Sequence, residues 1–129
     1  FLITPHSYEF YILTQQRINQ FSKKEKIKIV QKTAERLKTT ILLKGSIDII
    51  SNGREVALNK TGSPYMTVGG SGDVLAGIAG ALMARKIDPF LAGQASAFIN
   101  GLAGELASRE FGEGLMATDL IDMIYKVIK

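Results

Sequence analysis

The chain has no cysteine, no tryptophan and a single histidine among its 129 residues. The absence of cysteine excludes disulfides and thiolate chemistry, and it fits a reducing compartment, so we expect a cytoplasmic location. The longest uncharged apolar run, Val74 to Ala84, is too short to span a bilayer, and we expect no membrane partner. The opening residues Phe1-Leu2-Ile3 do not have the pattern of a signal peptide. With 46% apolar and 22% charged residues, the chain is typical of a globular domain rather than a disordered segment.

Positive charge is concentrated in one segment. Residues 23–38 contain seven Lys or Arg and two Glu, although the whole chain carries a net charge of only +4. Ile27, Val30, Ala34 and Leu37 form a stripe at helical spacing and the lysines lie off it, which indicates the solvated face of an amphipathic helix. A nucleic-acid surface is the other interpretation, but no aromatic residues interleave with the lysines. We therefore expect no nucleic-acid partner.

Strand and helix patterns alternate along the chain, which predicts an α/β layered fold. Expected strands cover residues 1–3 and 40–43, and a hairpin covers residues 47–51 and 55–58 around Asn52-Gly53. Expected helices cover residues 7–16, 23–38, 73–85 and 88–111, and a last one runs from residue 118 or 119 to about 128. The helix over 73–85 is apolar or small on nearly every side, so we expect it inside the protein.

The segment from Gly69 to Gly77 is the strongest functional signal. Glycines allow close backbone approach, and a helix that begins there points its free N–H groups and positive dipole end at a phosphate. Gly69, Gly70, Ser71 and Gly72 are the candidate anion site, and Asp73 is a candidate proton acceptor for phosphoryl transfer. The alternative is that Asp73 only complements the helix dipole.

Two further sets of polar residues follow expected strands. Lys44-Gly45 ends a predicted parallel strand, where ligands bind in open α/β sheets, and Ser46 and Asp48 add polar groups. An equal alternative to a ligand site is that Lys44 lies in solvent at the end of an ordinary strand. His6 lies at the same expected edge, although a lone histidine is more often a capping or packing residue. No His or carboxylate cluster has metal-ligand spacing, so any metal would be Mg²⁺ held mainly by nucleotide phosphates.

These motifs occur in an order that resembles a known family. The series is Thr4-Pro5-His6 with Glu9, Leu43-Lys44-Gly45, Asn59-Lys60-Thr61-Gly62, Met66, Gly69 to Gly77, Asp88-Pro89-Phe90, Gly101-Leu102-Ala103-Gly104 and Ala117-Thr118-Asp119-Leu120. It is similar to the ADP/ATP-dependent NAD(P)H-hydrate dehydratases of the ribokinase-like superfamily, over nearly the whole chain. The resemblance implies a ribokinase-like fold with a mainly parallel sheet flanked by helices.

The resemblance also implies an activity and a site. The family dehydrates the hydrates of NADH and NADPH with hydrolysis of ADP or ATP, plausibly through phosphorylation of the hydrate hydroxyl and loss of phosphate. It implies that Asp73 is the base, that His6 and Asp73 contact the hydrate, and that Gly69 to Gly72 form the anion hole. Lys44, Gly45, Ser46, Ile47, Asp48 and Gly72 are implied to bind the adenine nucleotide. Further expectations are a homo-oligomer and an upstream epimerase domain, which many relatives carry.

The chain departs from the family pattern at three places. Ser71 stands where threonine is usual, and Ser7 and Tyr8 replace a proline and a glycine after the histidine. The third departure is larger, because an N-terminal half that supplies strands and part of the hydrate pocket is not in the sequence. We therefore expect residues 1–129 to be the C-terminal portion of one ribokinase-like domain and to be inactive or poorly folded alone.

Other functions are compatible with the same motifs. A small-molecule kinase of this superfamily, acting on a hydroxyethylthiazole or a hydroxymethylpyrimidine, would share the glycine turn and the aspartate. The Asn59 to Met66 run and the Gly101 to Gly104 segment favour the dehydratase. A non-catalytic nucleotide-binding module is the third hypothesis.

Overall fold

Four strands form one sheet in the computed structural model, which describes residues 1–129. They are β1 (Leu2–Ile3), β2 (Thr40–Leu43), β3 (Asp48–Ser51) and β4 (Val56–Asn59), in the spatial order β1-β2-β3-β4. β1 and β2 run parallel, whereas β3 pairs antiparallel with both of its neighbours. The predicted hairpin is confirmed. The sheet of these residues is mixed rather than mainly parallel, because short connections on both sides of β3 reverse the chain direction.

Five α-helices accompany the sheet, and their ends follow from local signals. They are α1 (Ser7–Thr14), α2 (Lys23–Leu37), α3 (Ser71–Ala84), α4 (Pro89–Phe111) and α5 (Ala117–Ile128). Ser22 forms a capping box at the start of α2, and Asp88 caps α4 ahead of a proline in its first turn. Each helix lies within two residues of its predicted bounds, and none has the length and apolar character needed to cross a bilayer. Because α3 begins at Ser71, Gly72 and Asp73 lie in its first turn.

Alternating residues of the sheet bury both of its faces. Ile41 and Leu43 of β2 pack with Phe10, Val30 and other residues of the α1–α2 layer. Leu42 points to the opposite face and packs with Leu75 and Ala97 from α3 and α4. A third cluster joins α4 to α5. The sheet therefore lies between two helical layers, and the ends of β1 and β2 open at one edge.

The expectation that α3 is wholly interior is wrong for these residues. Only Leu75 and Ala79 of α3 are buried, on the side that packs mainly against α4 and α5. The small residues of the opposite side are exposed: Ala76, Gly77, Gly80, Ala81 and Ala84. The sequence of a helix shows which of its sides are apolar, but the burial of each side depends on the elements that pack against it. No described element covers the exposed side of α3.

Candidate active site

The start of α3 is left uncapped by any side chain. Gly70 precedes the first turn with φ of 92°, a left-handed conformation that favours glycine, and no side chain caps the helix. The first bond of the turn runs from the Val74 N–H to the Gly70 carbonyl at 3.1 Å. The N–H groups ahead of that bond have no intrahelical partner, and the helix dipole adds positive potential there. A phosphate group fits this position.

Lys44 brings a positive charge to the same point. Its backbone N–H donates to the Pro5 carbonyl at 2.9 Å, which joins the ends of β1 and β2. Its Nζ lies 3.2 Å from the position that a Cβ on Gly72 would occupy. The absence of a side chain at Gly72 therefore lets the ammonium group lie against the first turn of α3. A lysine ammonium group in this position is a point charge of the kind that can bind phosphate oxygens.

His6 and Glu9 stand beside this lysine. The Glu9 N–H donates to His6 Nδ1 at 3.2 Å, and the His6 N–H donates to Glu9 Oε2 at 2.8 Å, so His6 caps α1 as the capping alternative predicted. Glu9 Oε2 also lies 3.7 Å from Lys44 Nζ. The His6 N–H hydrogen bond and, to a smaller extent, the Lys44 charge hold the pKa of Glu9 below its usual range. Glu9 is therefore ionised at neutral pH and partly neutralises Lys44 in the ligand-free protein.

The turn after β2 is held by Asp48. Its Oδ1 accepts a hydrogen bond from the Gly45 N–H at 3.0 Å, and its Oδ2 accepts one from Asn59 Nδ2 at 2.9 Å. Burial raises the pKa of Asp48, while these two hydrogen bonds and the charge of Lys44 oppose the rise. The carboxyl group thus fixes the Gly45–Ser46 backbone at the wall of the site.

The loop between β4 and α3 is seated on two glycines of α4. A Cβ on Gly101 would overlap Thr61, and a Cβ on Gly104 would overlap the Met66 side chain. The Gly62 N–H also donates to Glu105 Oε1 at 3.0 Å. The Gly101-x-x-Gly104 spacing was visible in the sequence, but the contact that it makes was not predicted.

These elements enclose a cavity of about 980 Å³. It is lined by eight of the predicted site residues: His6, Lys44, Gly45, Ser46, Asp48, Gly69, Ser71 and Gly72. Ile47 instead lines a smaller cavity of about 220 Å³, which Lys44, Gly45 and Ser46 also line. The volume is that of a site for a small-molecule ligand.

Asp73 faces a different surface. It is exposed, and with Gly70 it lines an apolar groove of about 660 Å³ between α3 and α5. The first turn of α3 therefore separates the polar cavity from this groove. A phosphoryl group at the helix start would lie between a ligand in the cavity and a ligand in the groove.

Asn100 is a cavity residue that sequence reasoning missed. It lies on α4 and lines the polar cavity, and its Oδ1 is buried without a hydrogen-bond partner. Buried polar atoms normally have hydrogen-bond partners, so an amide oxygen without one is unusual in the wall of a cavity. The signal in the sequence is a single polar residue on the small-residue face of α4 formed by Ala97, Gly101 and Gly104.

The residues present fit Mg²⁺ only in one way. No group of three or more His, Cys, Asp or Glu residues could hold a metal ion. The polar cavity offers the carboxylate of Asp48, which is already engaged by Gly45 and Asn59. Such a site suits a magnesium ion that takes most of its ligands from nucleotide phosphates and water.

Comparison with known proteins gives consistent results. A family model described as NAD(P)H-hydrate dehydratase matches residues 1–126. The bifunctional NAD(P)H-hydrate repair enzyme Nnr of Hyperthermus butylicus is 47% identical over 95% of this chain and 23% of its own length. The ADP-dependent (S)-NAD(P)H-hydrate dehydratase of Nitrosopumilus maritimus is 43% identical over 99% of this chain and 44% of its own.

A solved structure has the same fold. The ADP/ATP-dependent NAD(P)H-hydrate dehydratase of Bacillus subtilis, crystallised with ATP and Mg²⁺, superposes with a TM-score of 0.88 at 30% identity, over 98% of this chain and 46% of its own. This confirms the predicted α/β, ribokinase-like fold class. The chain spans less than half the length of the relatives it matches.

Proposed function

The chain belongs to the NAD(P)H-hydrate dehydratase family, and we propose that it takes part in dehydrating hydrated NADH or NADPH at the expense of ADP. The observation that carries the proposal is the position of Lys44 Nζ against Gly72 at the uncapped start of α3. This arrangement provides a lysine charge, free N–H groups and a helix dipole for one phosphoryl group.

The two surfaces on either side of α3 suggest how the substrates are arranged. We propose that the nucleotide occupies the polar cavity, with Lys44, Gly45, Ser46, Asp48 and Gly69 to Gly72 around it. Ile47 would contribute through its backbone, since its side chain faces the smaller cavity. The hydrate would lie across the helix start, between His6 and Asp73.

The reaction then needs a proton acceptor in each of two steps, Asp73 in the first and solvent in the second, and one anion site. The hydrate hydroxyl attacks the terminal phosphorus of ADP, Asp73 takes the hydroxyl proton, and AMP leaves with the electrons of the broken P–O bond. In the second step phosphate leaves with the electrons of the C–O bond, and a proton is lost from the adjacent ring carbon. The N–H groups of α3 and the Lys44 ammonium stabilise the phosphoryl group in both steps, and Mg²⁺ bound to the nucleotide phosphates would neutralise further charge.

Three properties of the whole protein are also proposals. A homo-oligomer is tested by the mass of the native protein in solution. An epimerase domain would lie outside these residues, and a relative named as bifunctional supports it. A cytoplasmic location is supported only by the lack of cysteine.

The activity is tested by incubating the natural-length protein with hydrated NADH and ADP and following the absorbance of the reduced nicotinamide. We expect recovery of that absorbance with release of AMP and phosphate. Asp73→Asn should reduce the rate by at least about a hundredfold, as expected for loss of a general base, and should leave ADP binding nearly unchanged. Asp122→Asn, a change of the same type at an exposed position of α5, is the control. Accumulation of a stable phosphoester without phosphate release would indicate the kinase alternative, and a full rate for Asp73→Asn would exclude Asp73 as the base.

A further inference from the structure

Asn59 makes contacts with three walls of the polar cavity. It is the last residue of β4, and the residue is 7% exposed. Its Nδ2 donates to Asp48 Oδ2 at 2.9 Å and to the Ala97 carbonyl of α4 at 3.3 Å. Its Oδ1 accepts from the Thr61 hydroxyl at 2.9 Å. One amide group therefore joins the β2–β3 turn, helix α4 and the loop that leads to α3.

The bond to Asp48 controls the orientation of that carboxylate. Asp48 uses its other oxygen to accept the Gly45 N–H at 3.0 Å. A carboxylate with one oxygen released would rotate, and the Gly45 N–H would then lose its acceptor. Together with the Gly45 N–H and Lys44, Asn59 also opposes the rise in the pKa of Asp48 that burial causes.

The bond to Thr61 fixes the other wall. Thr61 lies against the bare Cα of Gly101, and its hydroxyl oxygen is 3.4 Å from the Phe98 carbonyl oxygen, the longer alternative to its bond with Asn59. The next residue, Gly62, donates to Glu105 Oε1. The loop therefore lies along α4, and Asn59 orients the Thr61 hydroxyl at the beginning of this contact.

We propose that Asn59 is a positioning residue for the nucleotide: its amide sets the distance between the Gly45 turn and the Thr61 loop, so that the polar cavity is shaped for ADP before ADP binds. The proposal rests on the proposed function, because it assigns the polar cavity to the nucleotide. Asn59 does not touch the ligand in this account. It acts through Asp48 and Thr61, and it leaves the hydrate side of α3 unchanged.

The test replaces the amide by groups with different hydrogen-bonding capacity. Asn59→Ala removes all three links, and we expect ADP binding by the natural-length protein to weaken about tenfold, since one of them is a hydrogen bond to a charged group. Asn59→Asp places an oxygen opposite both Asp48 Oδ2 and the Ala97 carbonyl. Two carboxylates at this separation cannot both be ionised.

Asn59→Asp should therefore respond to pH in a way that the wild type does not. When the carboxyl pair holds one proton, an O–H can replace the lost N–H donor and ADP binding should approach the wild-type value. As the pH rises and this proton is lost, binding should weaken by more than tenfold. Lys44 and Glu105 are the other charged groups near these contacts, so each affinity is divided by that of the wild type at the same pH. Asn52→Asp, in the distant β3–β4 turn, is the matched control, because an aspartate also accepts the Arg54 and Glu55 N–H groups.

The outcomes separate this proposal from the proposed function. Weaker ADP binding with an unchanged KM for the hydrate, and recovery of Asn59→Asp at low pH, would support it. Wild-type ADP affinity in folded variants, or equal losses for ADP and the hydrate, would overturn it while leaving the function intact. Failure of the wild type to bind ADP would contradict the function itself. If Asn59→Asp does not fold, the double variant Asp48→Asn/Asn59→Asp restores an amide–carboxylate pair and should bind ADP more tightly than Asn59→Ala. Loss of folding in all three variants would also overturn the proposal, because Asn59 would then serve overall stability.

Discussion

Replacement of Lys44 by methionine separates ligand binding from stability. The Nζ of Lys44 forms one ion pair, with Glu9 Oε2 at 3.7 Å, and the Glu9 side chain is 52% exposed. An ion pair with such an exposed partner contributes about 0–1 kcal/mol, since solvent screens it. Lys44→Met keeps the length and apolar stem of the side chain. We therefore expect the free energy of unfolding to fall by less than about 1 kcal/mol.

The effect on nucleotide binding should be larger. A phosphate at the start of α3 would lie about 4 Å from the ammonium, where the Coulomb attraction is about 4 kcal/mol at an effective dielectric constant of about 20. Desolvation of both groups reduces this value, and hydrogen bonds to charged partners contribute about 1.5–3 kcal/mol. A net loss of about 2–3 kcal/mol corresponds to ADP binding that is about 30–150 times weaker.

Isothermal titration calorimetry with ADP and adenosine measures this loss. Lys44→Met should weaken ADP binding strongly and adenosine binding little, and the loss should shrink as salt is added. Lys24→Met, on the exposed face of α2, is the control for removal of one positive charge. An unchanged affinity for ADP in a folded Lys44→Met protein would refute the assignment of Lys44 to the phosphate.

Three further predictions follow from the structure. Gly101→Ala places a Cβ 2.8 Å from the Thr61 carbonyl carbon. Overpacking should outweigh the higher helix propensity of alanine, so the free energy of unfolding measured by urea titration should fall by about 1–2 kcal/mol. An increase in stability would contradict the close contact between this loop and α4. Because the pKa of Glu9 is lowered by the fold, its ionised form stabilises the protein above the unfolded pKa, and this contribution disappears as the pH falls through the folded value. Glu9→Gln should therefore be slightly less stable than the wild type at pH 7, by less than about 1 kcal/mol, and equally stable in acid, as thermal unfolding across pH would show. Asn100→Leu removes a buried amide oxygen that has no partner, so the ligand-free protein should keep or increase its thermal stability, and a clear loss would indicate a missing hydrogen bond.

The helices and strands could be predicted where local chemistry decides them. Ser22 with Glu25, Asp88 with Pro89, and Asn52 with Gly53 are short-range signals, and each begins a helix or makes a turn where expected. The burial of α3 could not be predicted in this way. Its residues are small and apolar on most sides, but its exposure depends on what packs there, which local sequence does not specify.

The candidate site could be predicted as a set of residues but not as a geometry. The family resemblance implied that Lys44 and Gly72 belong to one nucleotide site, whereas their contact depends on the angle between β2 and α3. Ile47 was grouped with its neighbours although its side chain faces another cavity. The links from Asn59 to Asp48 and Ala97 join residues 11 and 38 positions apart, and no local pattern indicates them.

A crystal structure of the natural-length protein with ADP and Mg²⁺ would test the central claim most directly. The account predicts that the terminal phosphate lies against the N–H group of Gly72 at the start of α3, within hydrogen-bonding distance of Lys44 Nζ, with the adenosine portion in the polar cavity. A nucleotide bound elsewhere, with the start of α3 facing only solvent, would contradict it.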